Sequence, residues 1–402
     1  MELGSSRLLN RRIFCQLFAF LLTALLTSTY VAWSSLIASG QTISADSRNH
    51  STEVKSHGNS SLKRILLWNS PHRIEASAFG TGHQAFLDAQ CPFTDCLIVA
   101  NSSHFWKRLL ESDFQLLEKF DAVLFNVHEL WLSSLPPPQY RRPPRQRFVF
   151  FTQESPQTMT TFDPENYDNF FNWTMTYRFD SDVRLLYGRF HSVNSTVVND
   201  SSQSDRRQRK KKTNTIAWMV SHCETASKRE EYVRQLQDHI AVDVYGHCGT
   251  FECARNDSHW LSSPECYVQL ASQYKFYLSF ENSFCYDYVT EKFFSVLQHD
   301  LVPIVLGSAD YSLIAPSHSY IDVAQFKSPA DLAAYLLQLD ADEELYDKYF
   351  EWKSQFVVEA GVNQMSRHAF CDLCAKLHEE GISTKSYASM VSQWSPTTQC
   401  HN

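Results

Sequence analysis

Glycine is scarce in this chain, with 11 among 402 residues. That leaves little room for long glycine-rich loops of the kind that cradle phosphate. A basic excess is also missing. Lys plus Arg number 36 against 44 Asp plus Glu, a formal net charge of -8. This argues against a general nucleic-acid binder, and no nucleic acid is expected as a partner. No short-period internal repeat is present, which sets repeat architectures aside. Lack of apolar material is not a feature. At 43% hydrophobic and 14% aromatic the composition excludes a disordered chain, and the length suits about two domains.

One absence is local. No charged residue occurs from Ile13 until Asp46. The apolar part of this stretch, Ile13 to about Trp33, is close to the ~20 residues that cross a bilayer as a helix. Arg7, Arg11 and Arg12 precede it, which predicts a cytoplasmic N-terminus by the positive-inside rule. A cleaved signal peptide would have a shorter apolar region, although Ala32, Ser34 and Ser35 leave room for cleavage. The expectation is a cytoplasmic tail over 1–12, a transmembrane signal-anchor over 13–35 and a stem over 36–62, rich in Ser, Thr, His and Asn.

Two features agree with a lumenal location. Seven N-x-S/T sequons occur, at Asn49, Asn59, Asn101, Asn172, Asn194, Asn199 and Asn256; such sites accept glycans only in the secretory pathway. Of eleven cysteines, Cys15 falls in the membrane segment. The other ten are Cys91, Cys96, Cys223, Cys248, Cys253, Cys266, Cys285, Cys371, Cys374 and Cys400, an even number that suits disulfides in an oxidising compartment.

Beyond the stem, short apolar runs read as buried strands: Arg64–Trp68, Cys96–Ala100, Asp121–Phe125 and Arg147–Phe151. Helical candidates such as Phe105–Phe120 lie between them. A second set follows at Thr215–Val220, Ala241–Tyr245, Lys275–Phe280 and Val302–Leu306, with helices expected over 225–238, 290–299 and 329–338. Strands alternating with helices predict parallel α/β sheets. Residues 191–214 differ, carrying serines, two sequons and the basic run from Arg206 to Lys212. They read as a solvated linker, with protease processing as the alternative. The fold class is therefore α/β, two Rossmann-like domains over 63–190 and 213–375 joined by that linker, with a tail over 376–402. A ligand cleft is expected between the domains, beyond the carboxyl ends of the strands.

The stretch from Phe276 to Lys292 carries the most chemistry. A strand ends at Phe280, and Glu281, Asn282 and Ser283 follow where a nucleotide would dock. Thr290 is placed to cap the next helix, whose N–H groups would face an anion, with Lys292 adding charge. Glu281, Asn282 and Glu291 could bond sugar hydroxyls. The alternative is an ordinary strand–loop–helix with polar surface residues.

This stretch resembles the signature of the α1,3-fucosyltransferases: Phe280-Glu281-Asn282-Ser283, a short gap, then Asp287-Tyr288-Val289-Thr290-Glu291-Lys292. Similar pieces stand in order elsewhere, including Gln153-Glu154-Ser155-Pro156, Asn172 to Arg178, Ala217 to Ser221, Asp243 to Gly246 and Cys371-Asp372-Leu373-Cys374. The resemblance covers about residues 64 to 375. It implies a GT-B architecture and inverting transfer of L-fucose from GDP-β-L-fucose to GlcNAc. It also implies roles. Glu154 would be the general base. Arg229 and Lys292 would neutralise the diphosphate, and Asn282, Tyr288 and Glu291 would contact nucleotide or fucose. Without the resemblance, Arg229 reads as a solvated helical arginine and Glu154 as the acid of a Glu-Ser-Pro turn.

GDP-fucose is then the donor substrate, with no obligatory cofactor, no metal ligand expected and a divalent cation at most stimulatory. Asp180-Ser181-Asp182 resembles a metal-holding Asp-x-Asp, but lies in the acceptor half. Cys371 and Cys374 could form half a zinc site or a redox pair; structural disulfides are the expectation. Phe284-Cys285-Tyr286, Ala309-Asp310-Tyr311 and Ala315 to Asp322 look more like invertebrate and plant members that fucosylate the innermost N-glycan GlcNAc. The expected enzyme is thus a type II Golgi membrane protein acting on N-glycans of glycoproteins. The alternatives are a Lewis-type enzyme acting on N-acetyllactosamine and a membrane-anchored glycan-binding protein without catalysis.

Overall fold

The computed structural model describes residues 62–69, 74–100, 114–132, 135–136, 139–193, 212–253, 264–379 and 385–401. The expected tail, anchor and nearly all of the stem lie outside the described residues. So do the sequons other than Asn172, residues 194–211 of the linker, and residues 105–113 of the first helical candidate. Among the described residues no helix is long and apolar enough to cross a membrane.

The first half is built on six parallel strands in the order β2-β1-β3-β4-β5-β6. These are β1 Lys63–Leu67, β2 Cys96–Ala100, β3 Ala122–Asn126, β4 Arg147–Phe151, β5 Trp173–Thr176 and β6 Val183–Arg184. Every residue of β3, β4 and β5 is buried. That is why these strands read as unbroken apolar runs: a parallel sheet is covered on both faces. Helices α1 Ile74–Phe79 and α2 Gln84–Asp88 lie between β1 and β2. Where a longer helix was expected, Phe114–Lys119 is a 3-10 turn. Strand β7, Gly188–Ser192, leaves this sheet.

The second half has five parallel strands in the order β12-β11-β10-β8-β9: β8 Asn214–Met219, β9 Val242–Tyr245, β10 Tyr274–Phe280, β11 Val302–Leu306 and β12 Ile321–Asp322. Its helices are α3 Arg229–Gln237, α4 Pro264–Gln273, α5 Glu291–Leu297, α6 Pro329–Ala341 and α7 Glu343–Asp347. Ser328 caps α6 by accepting from Asp331 N–H, with Pro329 in the first turn. Lys212, the last of the basic run, is buried and its ammonium donates to the carbonyl of Asp300.

After the second sheet the chain returns to the first half. Strand β13, Phe356–Ala360, pairs antiparallel with β7. Helix α8, Val362–His378, buries Ala369, Phe370 and Leu373 against Ile65, Leu67 and Phe86 of the first core. Helices α9 Met390–Trp394 and α10 Pro396–Gln399 follow, and Trp394 packs on Phe150 at 5.1 Å and Tyr177 at 5.5 Å. The donor half expected over 213–375 therefore gives up α8, because the helix's apolar face matches the first sheet rather than the second.

All ten of these cysteines are paired: Cys91–Cys371, Cys96–Cys374, Cys223–Cys248, Cys253–Cys266 and Cys285–Cys400. Cys371 and Cys374 bond not to each other but across 280 and 278 residues to the first half. These two bridges fasten α8 where its packing places it.

Candidate active site

The carboxyl ends of β4 and β10 meet. Beyond β4 run Thr152, Gln153, Glu154 and Ser155; beyond β10 run Glu281, Asn282 and Ser283. The buried hydroxyls of Ser155 and Ser283 lie 3.0 Å apart, Ser155 donating. One contact thus joins the two halves, one residue from Glu154 on one side and one from Asn282 on the other.

Glu154 stands on a tightly held loop. Its N–H donates to Thr152 Oγ1 at 3.0 Å. The Gln153 amide donates to the carbonyls of Leu185 and Leu186 at 3.1 and 3.0 Å, and the Tyr187 hydroxyl donates to the Gln153 carbonyl at 2.7 Å. Its carboxylate stays half-buried at the cleft. Tyr288, from the other half, is buried between Tyr177 (ring centroids 4.9 Å) and Tyr187 (6.3 Å). Burial raises its phenol well above the usual range, and the charges of Glu154, Glu281 and Glu291 push it further. Tyr288 is therefore a neutral O–H donor set between carboxylates of both halves.

The second wall carries the cations. Lys292 lies at the start of α5 and donates to Glu281 Oε2 at 3.3 Å, Thr290 Oγ1 at 2.9 Å and Glu291 Oε1 at 3.3 Å. Burial opposes its charge, but Glu281 and Glu291 outweigh that and push its pKa up to about 12. Arg229 opens α3 directly after Lys228, whose φ of 52° is left-handed. The sequence alone would leave this arginine in solvent. Instead it is 3% exposed, donates through Nη1 to the Phe280 carbonyl at 2.6 Å, and lies over the Trp218 ring at 5.7 Å. Burial lowers its pKa and nearby Glu281 raises it.

Two expectations change here. Helix α5 has only seven residues, and Thr290 Oγ1 already accepts the Lys292 N–H at 3.4 Å. Positive charge comes from the Lys292 ammonium rather than from exposed helix N–H groups. Glu281 is fully buried and accepts from Thr290 N–H (2.8 Å), Thr290 Oγ1 and Lys292. It positions the lysine instead of meeting a sugar hydroxyl. Burial raises the Glu281 carboxyl, while Lys292 lowers it.

Arg229 Nε, Asn282 Oδ1, Ser308 Oγ and Tyr311 Oη are buried without a hydrogen-bond partner. All four stand just beyond the strands of the second sheet. Each unpaired buried group costs about 1–3 kcal/mol, a cost expected where a ligand supplies the missing partner. The Asp-x-Asp pair is committed elsewhere. Asp180 takes a bidentate contact from Arg178 (2.8 and 2.6 Å), and Asp182 pairs with Lys385 at 2.6 Å and accepts from Thr174 N–H and the Tyr387 hydroxyl. Trp173 and Tyr177 are core residues. A cavity of about 220 Å³ opens beside Tyr177, Tyr187 and Asp287, but Glu154, Arg229 and Lys292 do not line it. The strand-end cleft, where the charges converge, is the better candidate for chemistry.

Residues 60–188 match the family "Fucosyltransferase, N-terminal", and residues 209–394 match "Glycosyltransferase family 10 (fucosyltransferase) C-term". Alpha-(1,3)-fucosyltransferase C of Drosophila melanogaster is 38% identical over 357 residues, covering 83% of this chain and 78% of its own. The chain belongs to the α1,3-fucosyltransferases of glycosyltransferase family 10. Two further relatives of this fucosyltransferase are 36% identical. Glycoprotein 3-alpha-L-fucosyltransferase A of Drosophila melanogaster covers 82% of this chain, which spans 58% of that protein. The 3-galactosyl-N-acetylglucosaminide 4-alpha-L-fucosyltransferase of Bos taurus covers 79% of this chain and 78% of its own.

In this fucosyltransferase the structure brings Glu154, Tyr288, Glu291 and Lys292 to one cleft, with Arg229 and Asn282 on its second wall. Sequence reasoning assigned no role to Tyr187, Ser308 or Tyr311. Tyr187 precedes Gly188, the first residue of β7, and its hydroxyl is brought to the Gln153 carbonyl only by the fold. Tyr311 lies in the Ala309-Asp310-Tyr311 piece, which carried no role, and Ser308 had no signal beyond its position after a strand.

Proposed function

We propose that this fucosyltransferase transfers L-fucose from GDP-β-L-fucose, with inversion, to O3 of the innermost GlcNAc of an N-glycan. The observation that carries the reading is the Ser155–Ser283 bond, which sets the loop of Glu154 against the loop that leads to Lys292. In the reaction Glu154 removes the proton from the acceptor hydroxyl as its oxygen attacks the anomeric carbon. The bond from that carbon to the diphosphate breaks, and its electron pair leaves with GDP. Inversion of a β-linked donor yields an α-linked product. Lys292, held as a cation, and Arg229 oppose the charge that grows on the leaving diphosphate. Asn282, Tyr288 and Glu291 contact the nucleotide or fucose.

The acceptor reading takes support from the relative named a glycoprotein 3-alpha-L-fucosyltransferase. The bovine relative's name, with its galactosyl-N-acetylglucosaminide acceptor, favours a Lewis-type reaction instead. A direct test incubates the full-length chain with GDP-fucose and two acceptors, a trimannosyl N-glycan glycopeptide and N-acetyllactosamine. Mass spectrometry reads an added deoxyhexose. Transfer to lactosamine alone would replace the core reading.

The reading extends to the compartment: a Golgi enzyme, anchored through 13–35, with the folded part in the lumen. Five disulfides in that part support an oxidising environment. Protease protection of a C-terminal tag in intact microsomes tests it; a tag digested without detergent would reverse the topology.

A further inference from the structure

We propose that Tyr311 and Ser308 are donor-binding residues whose hydroxyls donate hydrogen bonds to the diphosphate of the nucleotide sugar. The inference rests on the nucleotide-sugar reading above and adds a third wall to the cleft. Phe280 and Leu306 are register partners, and Glu281 N–H donates to the Leu306 carbonyl at 3.0 Å. The loop after β11 therefore runs beside Glu281 and Asn282.

Tyr311 is 3% exposed, yet its hydroxyl has no partner, and Ser308 Oγ has none either. The ring is fixed between Phe293 (5.3 Å) and Tyr320 (5.5 Å), and Phe293 follows Lys292 in α5. Gly307 leaves room for this arrangement. A Cβ at Gly307 would stand 2.5 Å from Tyr311 Oη and 3.6 Å from Glu281 Cγ. The phenol thus reaches over the strand end toward the carboxylate that holds Lys292. Burial raises the phenol well above its usual range, with Glu281, Asp322 and Tyr320 adding to it, so the group stays an O–H donor.

The chemistry of the wall selects the ligand. Arg229 Nε, Lys292 Nζ and the two hydroxyls are all donors, and a set of donors fits a group that only accepts, such as a diphosphate. The Asn282 amide joins in either orientation, since its oxygen and nitrogen are assigned from their surroundings.

The test uses the full-length chain and its Tyr311→Phe and Ser308→Ala variants, with GDP, UDP and guanosine as probes. Thermal unfolding is followed with and without nucleotide, and GDP affinity by calorimetry. Tyr311→Phe deletes one unpartnered oxygen, so the ligand-free Tm is expected at or above that of the parent. GDP affinity is expected to fall about 10-fold or more, the size of a lost hydrogen bond to a charged group, with donor kcat/KM falling in parallel. Ser308→Ala is expected to act in the same direction. Unchanged GDP affinity in Tyr311→Phe would overturn the role of that hydroxyl, and the same result in Ser308→Ala would overturn the other. Stabilisation of the parent chain by UDP and not GDP would sink the donor reading, while affinity loss measured with UDP would still decide the two hydroxyls. Equal stabilisation by guanosine would overturn the diphosphate assignment.

Discussion

Ser155 Oγ donates to Ser283 Oγ at 3.0 Å, and both side chains are buried. The bond spans 128 residues of chain and sits between the loop of Glu154 and the loop of Asn282. It sets the separation between the two loops on which, in the proposed reaction, acceptor deprotonation and donor departure depend. Proximity of reacting groups is a large part of enzymatic rate, and small displacements are costly. Ser283→Ala and Ser155→Ala are each expected to lower kcat by about 10-fold with little change in donor KM. The double variant should cost little more than either single one, because both remove the same bond. Additive losses would assign the serines separate roles.

Glu154→Gln removes the proposed base and keeps the shape. Transfer should fall by about 100-fold to 10,000-fold, the range for losing general base catalysis. GDP-induced stabilisation should be unchanged, because Arg229 and Lys292 stand on the other wall. Retained transfer would move the base elsewhere.

Lys292→Met should do the reverse. It removes a cation of pKa about 12 that two carboxylates hold in place, and leaves Glu281 buried beside Glu291 without it. Donor affinity and kcat should both fall, and the protein should lose about 3–5 kcal/mol, as when one partner of a buried pair is removed. Denaturant unfolding checks the second part. An unchanged midpoint would mean that Glu281 becomes protonated with little penalty.

Much of this architecture is legible in the chain because parallel strands covered on both faces are continuous apolar runs. Arg147–Phe151 and Val302–Leu306 match β4 and β11 residue for residue. Strand β5 was not legible. Trp173-Thr174-Met175-Thr176 alternates apolar with polar over only four residues and lacks the unbroken apolar run of its neighbours, though every residue is buried. Long-range placement was also hidden. Nothing local to Cys371 and Cys374 points to Cys91 and Cys96, and only the packing of α8 on the first sheet brings them together. The polar site shows the same division. Glu154, Asn282 and Lys292 stand in motifs, whereas the burial of Tyr311 depends on β11 lying beside β10.

The Cys285–Cys400 bridge ties the C-terminal segment to the loop after Ser283. Tyr286 N–H donates to the Gln399 carbonyl at 3.0 Å, and His401 N–H to the Phe284 carbonyl at 2.9 Å. Replacing both cysteines by alanine should cost about 2–5 kcal/mol of stability. Because the tied loop leads into Tyr288, donor KM should rise as well. A stability loss with unchanged KM would show that the hydrogen bonds alone hold the loop.

The junction of β7 with β13 should respond to acid through Glu359. Its carboxylate accepts from His191 at 2.6 Å, His368 at 2.9 Å and Arg189 at 3.0 Å. Burial alone would raise its pKa, but these three partners outweigh burial and hold it at about 2, against an ordinary 4.5. A depressed folded-state pKa means stability that is present above about 4.5 and lost as pH falls toward about 2. Asp372, also near Arg189 and His368, is raised by burial and works in the opposite sense. The comparison must therefore be between the parent chain and Glu359→Gln rather than on one absolute slope. Thermal unfolding across that window should show a steeper fall in Tm for the parent, the two curves converging at the acid end. Parallel curves would mean that the strand junction owes its stability to the backbone pairing of β7 with β13 and not to this carboxylate.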